Sequence, residues 1–195
     1  MQVLTFVPRD YFGSNTYVLI SDSEAAVIDP SVEYDKIKSE LGDKVKVKYI
    51  ILTHAHFDHM LKIDSWVNNT DAEVIVGRGD RLGLTDGNLN CYRTFFGDDK
   101  GYYGAYTTVS EGDTLQIGST VLSVIETPGH TQGSISLFSG DCLFVGDLLF
   151  AGGGIGRTDL PGGDYVKLAM SIRKILKLPV GTMIYSGHGK AHELK

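Results

Sequence analysis

Two cysteines in 195 residues are too few for a disulfide framework, and they stand far apart, Cys91 in a polar loop and Cys142 in an apolar strand. They read as free thiols, neither bridge partners nor metal ligands. Long apolar runs are also missing. Nothing approaches the roughly 18 consecutive apolar residues that cross a bilayer. The start, Met1 to Pro8, lacks the basic residues, long apolar core and small-residue cleavage site of a signal peptide, and reads as a first strand. A cytoplasmic protein without a membrane partner is expected. Positive charge is scarce as well: 18 Lys and Arg stand against 24 Asp and Glu, a net charge of -6 with a pI near 5.4. That balance disfavours nucleic acid as a partner, because phosphate binding wants a basic surface.

What is present is ordinary globular material, 42% hydrophobic and 22% charged, in a length that suits one domain over residues 1–195. Apolar and β-branched runs predict strands at residues 2–7, 15–21 and 25–28, with a turn around Asp10 to Ser14. A short amphipathic helix over Glu33 to Leu41 ends at Gly42 and leads to a buried strand that closes with Val47, Tyr49, Ile50, Ile51 and Leu52. A helix from His59 to Val67 is expected next, carrying Met60, Ile63 and Val67 inward, and then a strand at Glu73 to Val76. From Gly77 to Ser110 the pattern breaks into Gly, Asp and aromatic residues with no sustained period. A loop of that length in a compact domain is a candidate functional segment. Its aromatics, Tyr92 and Phe96 among them, are candidates for a substrate wall or for packing.

Two hairpins follow, Thr114 to Ile117 with Thr120 to Ile125, and Ser134 to Phe138 with Cys142 to Val145. Asp164 is placed to cap a helix of about thirteen residues with Leu168, Ile172, Ile175 and Leu176 on its core face. Thr182 to Tyr185 is the last predicted strand. This order suggests an α/β chain of two sheets packed face to face, helices on the outer sides, and a site along one edge.

The residues that point to chemistry fall at strand ends. Behind the strand ending at Leu52 comes Thr53-His54-Ala55-His56-Phe57-Asp58-His59, four potential metal ligands within six residues. Imidazole and carboxylate suit zinc, and imidazole also suits iron. His130 follows a strand in Pro128-Gly129-His130-Thr131, Asp147 follows one in Gly146-Asp147, and His188 follows one in Gly187-His188-Gly189. Five of the six histidines are thus set behind apolar strands, each beside small residues, Asp or Gly that let the backbone turn sharply. His192 reads as an exposed tail residue.

These four motifs together resemble the metallo-β-lactamase-fold superfamily, and within it the glyoxalase II-like hydrolases, over nearly the whole chain. The resemblance implies a four-layer αββα sandwich with two metal ions at one edge. By motif match, His54, His56 and His130 hold the first ion, Asp58, His59 and His188 the second, and Asp147 bridges them. Zinc is the first expectation, with iron or manganese as alternatives. The implied chemistry is hydrolysis of a small thioester or related ester by a metal-bridging hydroxide that Asp58 helps to orient. Asp29, behind the third strand, is a candidate acceptor for a ligand histidine. Arg157, in a Gly-Arg-Thr-Asp segment shared with persulfide dioxygenases, is a candidate anchor for a substrate carboxylate, and Lys190 a further candidate contact. The alternatives are a mononuclear iron persulfide dioxygenase using His54, His56 and His130, and a lactone or phosphodiester hydrolase. Three departures separate the chain from full-length glyoxalase II. No helical glutathione-binding segment follows the last metal histidine, Met60-Leu61 replaces the usual Gly-Gly, and Lys190-Ala191-His192-Glu193 replaces a Thr-rich continuation. Glutathione specificity is therefore not implied.

Overall fold

A computed structural model describes residues 1–9, 12–42 and 44–195. The core is built from strands that alternate strictly and bury both faces. In β2 (Thr16–Ser21) Tyr17 and Leu19 point to one side and Val18 to the other; in β4 (Lys46–Leu52) Ile51 points one way, Ile50 and Leu52 the other. A strand that is apolar at every position has to be covered twice. The first sheet, β1 (Gln2–Phe6), β2, β3 (Glu24–Ile28), β4, β5 (Glu73–Gly77) and β6 (Thr107–Val109), is ordered as numbered, antiparallel through β3 and parallel thereafter. The second comprises β7 (Thr114–Ile117), β8 (Thr120–Glu126), β9 (Ile135–Phe138), β10 (Cys142–Gly146), β11 (Met183–Ser186) and β12 (His192–Glu193), also in sequence order from one edge to the other.

Three apolar layers follow from the alternation. Tyr17, Leu19, Ile28, Ile51 and Ile75 meet Ile117, Leu122, Val124, Leu137 and Phe144 between the sheets. Val27, Ile50, Leu52 and Val76 turn outward, onto Ile37 and Leu41 of α1 (Tyr34–Leu41) and Ile63 and Trp66 of α2 (Ile63–Val67). Leu143, Val145 and Ile184 face Leu168 and Ile175 of α4 (Tyr165–Ile175). Each fully buried Leu, Ile or Phe is worth about 1.5–3 kcal/mol against exposure, so this double coverage fixes the αββα order and leaves the strand ends to carry function.

The elements differ from the sequence reading in four places. The helix expected from His59 is only α2; Phe57–His59 forms a 3₁₀ turn closed by His59 N–H to His56 O (3.1 Å) and Met60 N–H to Phe57 O (3.2 Å). Lys62 N–H bonds Pro30 O (2.9 Å), pulling the chain out of the helical path. Trp66, fully buried, is the main inward residue and Val67 is only half-buried. The Gly77 to Ser110 stretch contains β6 and a one-turn helix, α3 (Tyr92–Phe96), both too short to leave a periodic trace. Asp164 caps α4 by accepting from Lys167 N–H, but the helix stops at Ile175, so Leu176 is beyond the last turn and 52% exposed. His192 is not a free tail: it pairs through its backbone with Ile184 and is half-buried. The turn expected at Asp10 lies partly outside the described residues. No helix among the described residues is long and apolar enough to cross a membrane.

Candidate metal centre

Four strand ends deliver the polar side chains to one edge. The end of β4 carries His54 and His56, and the 3₁₀ turn behind it carries Asp58 and His59; the β8–β9 connection carries His130; β10 ends in Gly146-Asp147; β11 runs into His188. Two glycines are required by this convergence. Gly146 has φ +53°, and a Cβ there would lie 2.3 Å from Thr53 Oγ1. At Gly187 a Cβ would lie 2.2 Å from Asp147 Oδ1 and 2.5 Å from His59 Cε1. The backbone passes too close for any side chain.

The potential ligand atoms form three overlapping groups, His54, His56 and His130; His54, His59 and Asp147; and Asp58, His59 and His188, each with its atoms within 4.8 Å of one another. Asp147 lies between the trios, Oδ1 3.4 Å from His59 Nε2 and Oδ2 3.6 Å from His130 Nε2 and 3.7 Å from His188 Nε2. Asp58 Oδ2 is 3.1 Å from His188 Nε2 and 3.6 Å from His59 Nε2.

In His54, His59 and His130 the outer ring nitrogen is engaged and the inner one is not. His59 Nδ1 donates to Asp29 Oδ2 (2.8 Å), His130 Nδ1 to the Arg157 carbonyl (2.8 Å), and His54 Nδ1 lies 3.2 Å from Thr53 Oγ1. With Nδ1 donating, Nε2 keeps its lone pair. The Nε2 atoms of His54, His56, His59 and His130 and Oδ1 of Asp147 are buried without a hydrogen-bond partner. Buried polar atoms are rarely left so. Five of them converging from three strand ends, all nitrogen or carboxylate oxygen, fit a divalent cation of the kind imidazole and carboxylate bind.

Charge is divided between the trios. Burial, then the neighbouring imidazoles, holds His54 well below its usual value and His56 down to about 3. Burial opposes charge on His59 too, but Asp29, Asp58 and Asp147 outweigh it and raise its pKa. His188 is raised against burial by its bond to Asp58 and by Asp147. Burial would raise Asp58 and Asp147; His59 and its neighbours lower both.

Asp29 sits at the strand end expected, with φ +53°. Besides His59 it accepts from Thr53 N–H and Thr53 Oγ1, both at 2.8 Å, so one buried carboxylate fixes His59 directly and reaches His54 through Thr53. Sequence reading missed its counterpart, Asp80. Its carboxylate, 6% exposed, accepts from Ala55 N–H (2.9 Å), Thr131 Oγ1 (2.7 Å) and Gly133 N–H (2.6 Å). It ties the backbone between His54 and His56 to the segment after His130. Also missed were Asn15 and Tyr17. Asn15 Nδ2 donates to Ser186 O (3.1 Å) and Gly189 O (2.9 Å), and Tyr17 OH to Ser186 O (2.6 Å), clamping the turn that carries His188. The Arg-Gly-Asp at 78–80 and the Asn-x-Tyr at 15–17 carried no signal of these distant partners.

A cavity of about 230 Å³ opens over the ligand atoms, with Phe12, Phe57, Phe95, Leu160, Cys91 and Arg157 as its other walls. Burial, then Asp58, pushes the Cys91 thiol up to about 11, so it is protonated. Arg157 reaches the cavity as expected, but both arms of its guanidinium are on Asp159, Nε–Oδ1 2.8 Å and Nη2–Oδ2 2.7 Å. Tyr92 and Phe96 do not line it. A helix turns about 100° per residue, and α3 presents Phe95 to the cavity, while Tyr92 and Phe96 pack behind on Phe57 (5.8 and 5.4 Å between centroids). Lys190 is exposed and outside the lining.

The family model of the metallo-beta-lactamase superfamily matches residues 9–188, which takes in all of the convergent ligand atoms. The chain belongs to the metallo-beta-lactamase superfamily. Among members of the superfamily, it is 38% identical over 180 residues to the probable metallo-hydrolase YqgX of Bacillus subtilis, covering 90% of this chain and 85% of that protein. It is 31% identical over 204 residues to the hydroxyacylglutathione hydrolase GloC of Haemophilus influenzae, covering 95% and 90%. The crystal structure of the BLEG-1 B3 metallo-beta-lactamase superposes with TM-score 0.89 at 34% identity over 99% of this chain and 94% of that one. TTHA1623 in a di-iron-bound form superposes with TM-score 0.82 at 29% identity over 100% and 95%. Superfamily membership, two histidine-rich ligand groups and these relatives make the chain a metal-dependent hydrolase of this fold.

Proposed function

We propose that the chain is a dinuclear hydrolase of small thioesters or related esters, with His54, His56 and His130 holding one divalent ion, Asp58, His59 and His188 the other, and Asp147 shared. The observation that carries this reading is the convergence of four buried, unpartnered imidazole nitrogens around the Asp147 carboxylate, whose Oδ1 is itself unpartnered. Divalent ions held by these residues would supply a water of lowered pKa and would polarise a carbonyl. The protein's own groups do the rest. Asp58 and Asp147 are held ionised by His59 and its neighbours; Asp58 accepts a hydrogen bond from the attacking water and keeps it oriented, while Asp147 is the shared ligand. Asp29, Thr53 and the Arg157 carbonyl hold the imidazoles in the tautomer that faces inward. No serine or cysteine nucleophile is needed, and the protonated Cys91 is not one.

The likeness to a hydroxyacylglutathione hydrolase supports thioesters over other esters. Zinc is the first choice for a donor set of imidazole and carboxylate, with iron or manganese as alternatives; the di-iron form of TTHA1623 keeps iron in view. The partner is a small molecule in the cytoplasm; the net charge of -6 speaks against nucleic acid. A mononuclear iron persulfide dioxygenase is the second reading, because His54, His56 and His130 form a complete trio on their own. The second trio speaks against it.

Elemental analysis of protein purified without chelator, alongside hydrolysis of S-lactoylglutathione and simple thioesters, tests the proposal. About two metals per chain with thioester hydrolysis supports it. One iron per chain with oxygen uptake selects the dioxygenase, and two metals with turnover only of lactones or phosphodiesters moves the substrate within the superfamily.

A further inference from the structure

The cavity over the ligand atoms has walls of one chemical kind. Leaving aside the ligands themselves, four of its six lining residues are Phe12, Phe57, Phe95 and Leu160, a fifth is the small, weakly polar Cys91, and only Arg157 carries charge. The Arg157 charge is already answered by the two-armed contact with Asp159. Among the described residues no other cation lines the cavity. A charged tripeptide thiol, with two carboxylates to place, finds no free partner here.

The aromatic wall is also organised. Phe57, buried directly between His56 and Asp58, is fixed by ring contacts to Phe95 (5.5 Å) and Phe96 (5.4 Å, edge-on), and Phe96 in turn meets Phe12 edge-on at 5.4 Å. Phe12 and Phe95, from segments some eighty positions apart, are 51% and 48% exposed beside the ligand atoms. Large apolar side chains left half open around a polar centre mark a surface that something apolar covers. Continuity with the ligand cluster says what that is: the part of the substrate next to the bond being cut.

We propose that Phe12, Phe57, Phe95 and Leu160 form a subsite for a compact apolar acyl group, aromatic or branched, and that the chain is selective for apolar thioesters or esters over glutathione thioesters. This rests on the hydrolase reading above and names the substrate class of that site. Phe95 is the specificity-determining residue, because it reaches the cavity from α3 and has no ring contact with a ligand histidine, while Phe57 keeps its contacts to Phe96 and Tyr92 when Phe95 is removed. Its half-exposed ring can also be removed without opening a core cavity.

The test compares acetyl and phenylacetyl thioesters of one thiol, N-acetylcysteamine, with S-lactoylglutathione, on protein carrying two zinc ions per chain. In parallel, calorimetry measures binding of acetate and phenylacetate to the same protein. Both members of each pair offer the same carbonyl or carboxylate to the metals, so their ratio isolates the phenyl group. The phenylacetyl member is expected to be favoured by about tenfold or more in kcat/KM and in affinity, and S-lactoylglutathione to fall below the phenylacetyl thioester. Phe95→Ala is expected to narrow both ratios by about two- to tenfold at undiminished metal content, whereas Tyr103→Ala, in the same segment but outside the cavity, leaves them as they are. Ratios near one, ratios insensitive to Phe95→Ala, or a preference for S-lactoylglutathione would overturn the subsite. If no thioester is turned over, the thioesterase reading falls, and the acetate and phenylacetate affinities still decide whether the apolar subsite exists.

Discussion

The ligand residues were legible one by one because each stands behind an apolar strand in a short motif, and the chemistry of imidazole and carboxylate needs no tertiary knowledge. What holds them was legible only in part. Asp29 read as a candidate acceptor for a ligand histidine, but its three bonds to Thr53 and His59 appear only once β3 and β4 lie side by side. Removing that carboxylate by Asp29→Ala leaves a buried Thr53 N–H and His59 Nδ1 without an acceptor. Outer partners of this kind are worth roughly 10–100-fold in metal affinity, so metal titration should show the ion at His59 weakened by that factor and the one at His56 and His130 much less. The pKa shifts give a second expectation with a definite sign. A cation must displace any proton on its ligand. Without metal, His59 and His188 are held above their ordinary value and bind a proton more readily, whereas His54 and His56 lie far below it and resist one. Lowering pH from 8 towards 5 therefore increases proton competition at the Asp58, His59 and His188 trio first. Metal counts after equilibration should fall from about two to about one before the first trio is emptied; loss from both trios in step would contradict the assignment.

At the scale of elements, the sheets were readable because strands buried on both faces are apolar throughout, and the shortest elements were not. β6 and β12 have three and two residues, α3 five, and none is long enough for period 2 or 3.6 to show. The break at Gly77 to Ser110 was recognised, but not that it contributes Asp80, whose three hydrogen bonds join the β4 end to the β8–β9 connection. Gly133 underlines how tight this junction is, since a Cβ on it would lie 2.0 Å from Asp80 N. In Asp80→Asn one acceptor becomes a donor pointed at backbone N–H groups, a loss of complementarity in a buried site. The expected result is a tenfold or greater weakening, by order of magnitude, of the ion held by His54, His56 and His130, with the second ion less affected. This is the reverse of the Asp29 pattern. Competition titration with a chelator of known affinity separates the two, and equal losses at both trios would show that Asp80 only supports the fold.

Across the whole molecule, the two six-stranded sheets meet their ligands only at one edge, and each trio draws on more than one of them: His54 and His56 from the first sheet with His130 from the second, and Asp58 and His59 from the first with His188 from the second. Bound ions would therefore fasten the two halves of the sandwich together. Metal removal should be felt as stability of the entire chain, not only as lost activity. Folding in the absence of metal buries unpartnered Nε2 atoms and draws the Asp58 and Asp147 carboxylates together around His59, an arrangement the unfolded chain does not have to make. Anything that binds only the native state adds RT ln(1 + [L]/Kd), about 4 kcal/mol at a thousandfold excess over Kd. At this chain length 1 kcal/mol moves Tm by about 2–4 °C. Chelation of one such ion should thus lower Tm by about 8–16 °C, and restoring zinc should recover it. The same measurement on His188→Ala, which has only the first trio complete, should show a clearly smaller drop on chelation, because less metal is there to lose. If chelation leaves Tm where it was, the ions do not bridge the sheets.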